Sequence, residues 1–352
     1  MSRPIGYYVH HHGSGHLERA LRIAAPDPSR FVLLGTGVGG RPGGSETLSL
    51  ADDRPSGEVR FDGVDYSRDR PQSLHYAPLD HAGVRARTAQ IAGWIEAHRP
   101  AIMVVDVSVE VAMLARLAAT PTVVIRLAGD RTDPAHLDAF RGAQAILAPF
   151  HADLEDLSTP DWVRAKTRYA PRISEPVSPA VVDANAVVVV FGSGGGEADG
   201  QALAAAARST PHLTWRVLGP MSPADSPPIN LAALGWVSDV EVEIARAGVV
   251  IGSCGSGVVG AVLAADRPFI AMPQSRPYDE QASTARALAA LGAAIVLEGW
   301  PEADRWPNLL DAARSQTGAP RRRLTEGDDA TDIHQWILTL ADGPNSKTGA
   351  PG

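Results

Sequence analysis

Residues 5–16 read IGYYVHHHGSGH and residues 187–196 read VVVVFGSGGG. Each is an apolar run of strand length that passes directly into a Gly-Ser-Gly turn. Helical spacing follows both turns: Leu17, Ala20, Leu21 and Ala24 share one face after the first, and a helical pattern runs from Glu197 to Arg208 after the second. Glycines at such a bend let the backbone turn sharply and approach a ligand. The helix that follows supplies free N–H groups and a partial positive charge.

Working outward from these two points, short apolar runs alternate with amphipathic stretches along nearly the whole chain, the pattern of parallel sheets covered by helices on both faces. In the first half the strand candidates are Ile5 to Val9, Phe31 to Leu34, Ala101 to Val105, Thr122 to Ile125 and Ala145 to Ala148. In the second they are Ala186 to Phe191, Leu213 to Leu218, Val249 to Ile251, Phe269 to Met272 and Ala293 to Leu297. The clearest helix runs from His81 to His98, with Val84, Thr88, Ile91 and Ile95 expected to form its buried stripe. The proline-bearing stretch from Ala170 to Asn185 separates two regions that each look like a complete α/β unit.

This predicts an α/β protein of two Rossmann-like, doubly wound parallel-sheet domains facing a cleft. The expected division is an N-terminal domain 1–172, a linker 173–185, a C-terminal domain 186–325, a final helix 326–341 carrying Ile333, Trp336, Ile337 and Leu340, and a disordered tail 342–352. Polar loops are expected at Gly35 to Gly57 and Asp62 to Pro78. The 352 residues exceed the usual size of a single core, in keeping with two domains.

Composition narrows the function classes. With 44% hydrophobic and 20% charged residues the chain reads as an ordinary globular protein. The net charge of −8, with Arg321-Arg322-Arg323 as the one short basic tract, argues against a nucleic-acid partner and gives no support for contact with an anionic membrane. Cys254 is the single cysteine, no apolar run approaches the roughly 18 residues of a membrane span, and no signal-peptide layout precedes the first strand. A cytoplasmic location is the expectation.

Four places carry the chemistry. His16 lies in the first turn of the helix after the first glycine turn, where a neutral imidazole could accept a proton. Position alone is equally satisfied by a surface or capping histidine. A metal site from His10, His11, His12 and His16 is disfavoured, because adjacent strand residues point to opposite faces and no Cys or carboxylate joins them. The turn 192–196 and a third glycine turn, Ser253-Cys254-Gly255-Ser256-Gly257, stand before helices in the second half and could together hold a diphosphate. Read singly, each serves as well for close packing of helix on strand. After Met272, the run PQSRPYDEQ (273–281) sets Asp279, Glu280 and Gln281 at a helix start, suited either to gripping paired sugar hydroxyls or to capping.

Taken together, HHHGSGH, FGSGGG, GWVSD at 235–239, and GSCGSG through MPQSRPYDEQ resemble a GT-B glycosyltransferase, in the family that includes the N-acetylglucosaminyltransferase of peptidoglycan synthesis. The resemblance spans most of the chain, and 235–281 is its most specific part. It implies that the second lobe binds a nucleotide-sugar donor, UDP-linked for preference. Gly194 and Gly195 would line the phosphates, Trp236 and Val237 the base, and Gly255 and Ser256 the diphosphate. Arg276 would lie near the leaving group, and Asp279, Glu280 and Gln281 near the sugar. His16 would be the base of an inverting displacement that needs no metal and no cofactor, as the lack of an Asp-x-Asp triplet also suggests. Gly15, Asp106, Glu110 and Arg126 are candidates for the side of the acceptor, whose identity the sequence leaves open. One departure stands out: Ala261 occupies the place where many members carry a ribose-binding glutamate. A nucleotide-sugar epimerase and a non-catalytic nucleotide-sugar-binding protein are the competing readings.

Overall fold

The computed structural model describes residues 2–11, 15–40, 43–55, 68–173, 180–191 and 197–343. Among these residues thirteen strands form two sheets. The first holds β1 (Ile5–Tyr8), β2 (Phe31–Gly35), β3 (Glu46–Ser49), β4 (Ile102–Asp106), β5 (Thr122–Ile125), β6 (Ala145–Ala148) and β7 (Thr167–Tyr169), in the order β3-β2-β1-β4-β5-β6-β7. The second holds β8 (Asp183–Val190), β9 (Thr214–Leu218), β10 (Leu231–Gly235), β11 (Ala247–Gly252), β12 (Phe269–Ala271) and β13 (Ile295–Val296), in the order β10-β9-β8-β11-β12-β13. Every strand pairing is parallel. Both orders reverse direction once, between β1 and β4 in one sheet and between β8 and β11 in the other. In open parallel sheets a crevice forms at that reversal, beyond the carboxyl ends of the strands, and ligands bind there.

The apolar runs that mark β1 and β8 are buried on both faces. Ile5, Tyr7 and Val9 pack into one core layer and Tyr8 into the other, while Val187 and Val189 alternate with Val188 and Val190 in the same way. Backbone crowding is severe at Gly6, where a Cβ would lie 2.1 Å from the Met103 sulfur. A strand sandwiched between helical layers has no polar face, so it reads as a continuous apolar run.

Three strands lie outside the expected set. β3 lies inside the segment expected to be a polar loop, and its residues, Glu-Thr-Leu-Ser, are mostly exposed because it forms the sheet edge. β7 is three residues long, and β10 is a partly exposed edge strand. In the helix Ala82–His98 the buried residues are Arg87, Ile91, Trp94 and Ile95, whereas Thr88 is exposed, so the expected stripe is shifted by one position at its start. Arg87 is buried because its guanidinium is fully engaged, by the Asp53 carboxylate, the Tyr8 and Thr36 hydroxyls and the Ala51 carbonyl.

The last helix, Ala330–Asp342, begins with a capping box at Asp329 and Asp332 and returns to the first lobe. Ile333 and Ile337 are fully buried in the layer that holds Ile5, Tyr7 and Ile23. His334 Nδ1 lies 2.8 Å from the Ile23 carbonyl oxygen. Much of the expected 342–352 tail, and residues 174–179 of the expected linker, lie outside the described residues. No helix among the described residues is long and apolar enough to cross a membrane.

Candidate functional site

In the first sheet the reversal point brings together two residues distant in sequence. Tyr8 pairs with Val105, so the carboxyl end of β1 stands beside Asp106 at the carboxyl end of β4. The helix Gly15–Ala24 carries His16 and Arg19 one turn apart on the same side. His16 Nδ1 lies 3.0 Å from Asp106 Oδ1. Arg19 closes the group, with Nε 3.1 Å from Asp106 Oδ2 and Nη2 3.0 Å from His16 Nδ1. Asp106 is fully buried, and the His16 side chain retains 11% of its exposure. Burial alone would raise the Asp106 carboxyl, but the charges and hydrogen bonds of Arg19 and His16 outweigh it and hold it below the usual carboxylate range. The next residue, Val107, has φ 57°, a left-handed conformation unfavourable for a β-branched side chain. It is held there by its N–H to the Ile125 carbonyl at 3.1 Å.

The other acceptor-side candidates are differently employed. Gly15 opens the His16 helix and is exposed. One Glu110 oxygen accepts the N–H groups of His75 and Tyr76, tying down the segment before the helix Ala82–His98. Arg126 is buried in an ion pair with Glu155 beneath the Phe150 and Tyr169 rings, and so braces the first lobe.

A cluster that the sequence reading passed over lies nearby. His75, Asp133 and His136 place one ligand atom each within 4.8 Å of one another, a spacing that could hold a metal ion. Their hydrogen bonding favours another reading. Asp133 accepts from His75 Nε2 and from His136 Nδ1, and the Arg131 guanidinium faces His136 Nε2 at 3.5 Å. A guanidinium only donates and a carboxylate only accepts, so His136 keeps its proton on Nδ1, directed at Asp133, and both ring nitrogens are already engaged within the protein.

In the second lobe Gly255 is the cap residue of the helix Ser256–Ala264 and no side chain caps it, which leaves the first-turn N–H groups open; Ser256 is exposed. Gln281 is 4% exposed, and its Oε1 accepts from Cys254 N at 3.1 Å and Gln274 N at 2.9 Å. One carboxamide thus ties the third glycine turn to the 273–281 loop. Cys254 is packed beside it, its thiol pushed up to about 12 by burial, which leaves it inert at neutral pH. Trp236 is exposed, while Val237 packs partly against the core of the lobe. Arg276 donates to Gln274 Oε1 and the Ser275 carbonyl. Asp279 is exposed, and Glu280 lies 3.4 Å from Arg131 of the first lobe. Ala261 is 6% exposed within the core. Gly194 and Gly195 lie outside the described residues.

The two lobes meet along the carboxyl ends of their strands. The Asp130 N–H, on the segment after β5, donates to the Tyr278 carbonyl, on the segment after β12, at 2.8 Å. A cavity of about 380 Å³ lies between the lobes, lined by Leu127 and Phe150 on one side and Ser256, Leu263 and Glu280 on the other. Arg19, Arg131 and Tyr278 were not singled out from the sequence. Arg19 follows His16 at helical spacing, a weak signal, and nothing local marks the other two.

No family model and no curated protein matches the chain. Solved structures do. The glycotransferase of kitacinnamycin superposes with a TM-score of 0.71 at 14% identity, over 97% of this chain and 100% of that one. MurG of Acinetobacter baumannii gives 0.65 at 14% identity, over 97% and 99%. A spinosyn rhamnosyltransferase complexed with thymidine diphosphate gives 0.64 at 17% identity, over 96% and 99%. At these identities the likeness establishes architecture: the chain has the GT-B fold.

Proposed function

We propose that the chain is an inverting glycosyltransferase that moves a sugar from a nucleoside-diphosphate donor to an acceptor hydroxyl. The observation that carries this reading is the buried Asp106 carboxylate behind His16 Nδ1, at the reversal point of the first sheet. Nδ1 can donate to Asp106 or accept from Arg19, but not both. Arg19 already reaches both Asp106 oxygens, so the proton belongs on Nδ1, directed at the carboxylate. Nε2 is then an acceptor. It takes the proton of the acceptor hydroxyl as that oxygen bonds to the anomeric carbon. The bond from that carbon to the diphosphate breaks, its electron pair leaves with the nucleotide, and the configuration inverts. Asp106 stabilises the imidazolium that forms.

On the donor side, the uncapped N-terminus of Ser256–Ala264 and the 192–196 turn would hold the diphosphate, with Arg276 close by. Trp236 and Val237 would meet the base, and Asp279, Glu280 and Gln281 the sugar. This electrostatic set needs no metal. Ala261 presents no hydrogen-bond acceptor to a ribose, which would weaken donor binding by about 1.5–3 kcal/mol relative to a charged one. UDP-sugars are the first donors to test, with TDP-sugars beside them because one structural relative was solved with thymidine diphosphate. The test is nucleoside diphosphate release from a panel of UDP-, TDP- and GDP-sugars. His16→Ala should lower turnover by about 10²–10⁴-fold with donor affinity nearly unchanged. An isomerised donor would indicate an epimerase, and binding without turnover a silent relative.

A further inference from the structure

The loop that carries Asp279, Glu280 and Gln281 does not stand on its own lobe alone. Tyr278 and Asp279 both lie in the left-handed region, at φ 61° and 52°. Two successive non-glycine residues there are costly, and such a conformation persists only where the surroundings over-determine it. The surroundings here belong to the first lobe. Arg131 stacks over the Tyr278 ring, its guanidinium carbon 4.4 Å from the ring centroid. His136 meets the ring edge-on at 4.8 Å, and His75 lies at 5.2 Å. The Asp130 N–H holds the Tyr278 carbonyl. Gly129, at φ 99°, lets the backbones approach so closely that a Cβ would lie 2.4 Å from the Tyr278 oxygen. The His75–Asp133–His136 hydrogen bonds fix the walls of this socket, and Arg131 also faces Glu280 at 3.4 Å.

We infer that Tyr278 is a positioning residue: its docking between His75, Arg131 and His136 is one of the contacts that join the lobes, beside those of Asp156 with Ser283 and Arg286 and of Asp153 with Arg323, and it is the one that sets Glu280 in place for the donor. The role in catalysis rests on the glycosyltransferase reading; the docking itself does not. When the ring leaves its socket this side of the interface loosens, the loop relaxes out of its left-handed conformation, and Glu280 loses its register with His16. A misplacement of about 1 Å at a reacting centre can cost on the order of 10²-fold in rate.

The experiment uses the full chain, with spin labels at Leu117→Cys in the first lobe and Ile229→Cys in the second, both exposed, since Cys254 is buried. The inter-lobe distance distribution and the turnover of UDP-glucose are measured for the parent, Tyr278→Ala, Tyr278→Phe and Gly129→Ala. Tyr278→Ala and Gly129→Ala should each lengthen and broaden the distribution. They should lower kcat by about tenfold or more and change the affinity for UDP by less than about threefold, because UDP binding is assigned to the second lobe. Tyr278→Phe keeps the ring and should restore the distribution and most of the turnover. Gly129→Ala leaves Tyr278 intact, so it decides the matter if Tyr278→Ala does not fold. An unchanged distribution in both Tyr278→Ala and Gly129→Ala overturns the inference, as does Tyr278→Phe behaving like Tyr278→Ala. If the parent turns over none of the UDP-, TDP- and GDP-sugars of the panel, the functional reading fails, and the distances alone still decide whether Tyr278 helps to hold the lobes together.

Discussion

His16 Nδ1 and Asp106 Oδ1 lie 3.0 Å apart although ninety sequence positions separate them, because β1 and β4 are neighbours in the first sheet. Arg19 balances the same carboxylate, so Asp106 serves two partners from a fully buried position. Asp106→Asn removes the charge that orients and supports the imidazole and leaves the Arg19 guanidinium without its counter-ion. Turnover should fall by about 10²-fold or more while the apparent donor affinity changes little. Stability should fall too, by about 3–5 kcal/mol, since an unpaired buried charge remains. His16→Ala should share the kinetic loss without the loss of stability. Steady-state kinetics well below the melting temperature, with denaturant titrations of both variants, separate the two effects. Asp106→Asn with parental kcat would remove the carboxylate from the chemistry.

Gln281 offers a second test, because one oxygen accepts two backbone N–H groups from different segments. Gln281→Ala leaves both donors without a partner, one of them on buried Cys254. Each such loss costs about 1–3 kcal/mol. A clear drop in stability is therefore expected, together with weaker binding of nucleoside diphosphate, since the Gly255 turn and the 273–281 loop are no longer tied. Thermal melts and calorimetric titration with UDP check this. A variant with parental melting and weakened binding would mean that Gln281 acts on the ligand alone.

β1 and the buried part of β8, residues 186–190, were legible because no charged residue interrupts their apolar runs. The edge strands β3 and β10 were not: β3, Glu-Thr-Leu-Ser, carries no apolar pattern, and β10, Leu-Ala-Ala-Leu-Gly, is apolar but lacks the β-branched and aromatic residues that favour a strand. Asp106 was recognisable as a polar residue at a strand end, but its pairing with His16 follows from strand order, a non-local property. Arg87 shows the same limit: a charged residue on a helix reads as solvent-facing until its four partners, drawn from distant segments, are assembled around it. Tyr278 sits between a proline and three polar residues, and only the opposing lobe explains its burial. The returning helix was visible as a pattern, but the surface it covers was not.

That helix, Ala330–Asp342, gives a stability prediction for the first lobe. Ile337 is fully buried against residues of the first lobe, and Arg168 binds Asp328 just before the helix at 2.5 Å. Ile337→Ala should destabilise that lobe by about 2–5 kcal/mol, the range for truncating a buried isoleucine. Among the described residues the second lobe contributes none to that core layer, so nucleotide binding there should survive at low temperature. Hydrogen exchange resolved by segment distinguishes the cases: faster exchange in β1 and β2 with β8 and β11 unchanged is expected. Uniform acceleration across both sheets would show that the helix holds the lobes together and does not belong to one of them.

Acid should act first on the socket. His136 is pushed down to about 4, chiefly by burial, with the Arg131 and His75 charges adding to the effect and the Asp133 hydrogen bond opposing it. Its neighbours are Asp133 and Phe140 on its own helix, Arg131 and His75 on flanking segments, and Tyr278 from the other lobe. The folded protein therefore keeps His136 neutral below the pH at which the unfolded chain protonates it, about 6.5. Between pH 6.5 and 4 the unfolded state binds more protons, so stability falls as pH falls, by on the order of 3 kcal/mol across the window. Burial would raise Asp133, but hydrogen bonds from His136 and His75 hold it below the usual range, so its contribution is present above an ordinary carboxylate pKa and lost only in stronger acid. The two effects are thus separated in pH. Urea titrations at pH 7.5, 6.5, 5.5 and 4.5 should show a decline in the parent that is shallower in His136→Gln, which has no proton to take up. Equal slopes in parent and variant would mean that His136 titrates normally in the folded state, and would contradict the buried, neutral imidazole described for the socket.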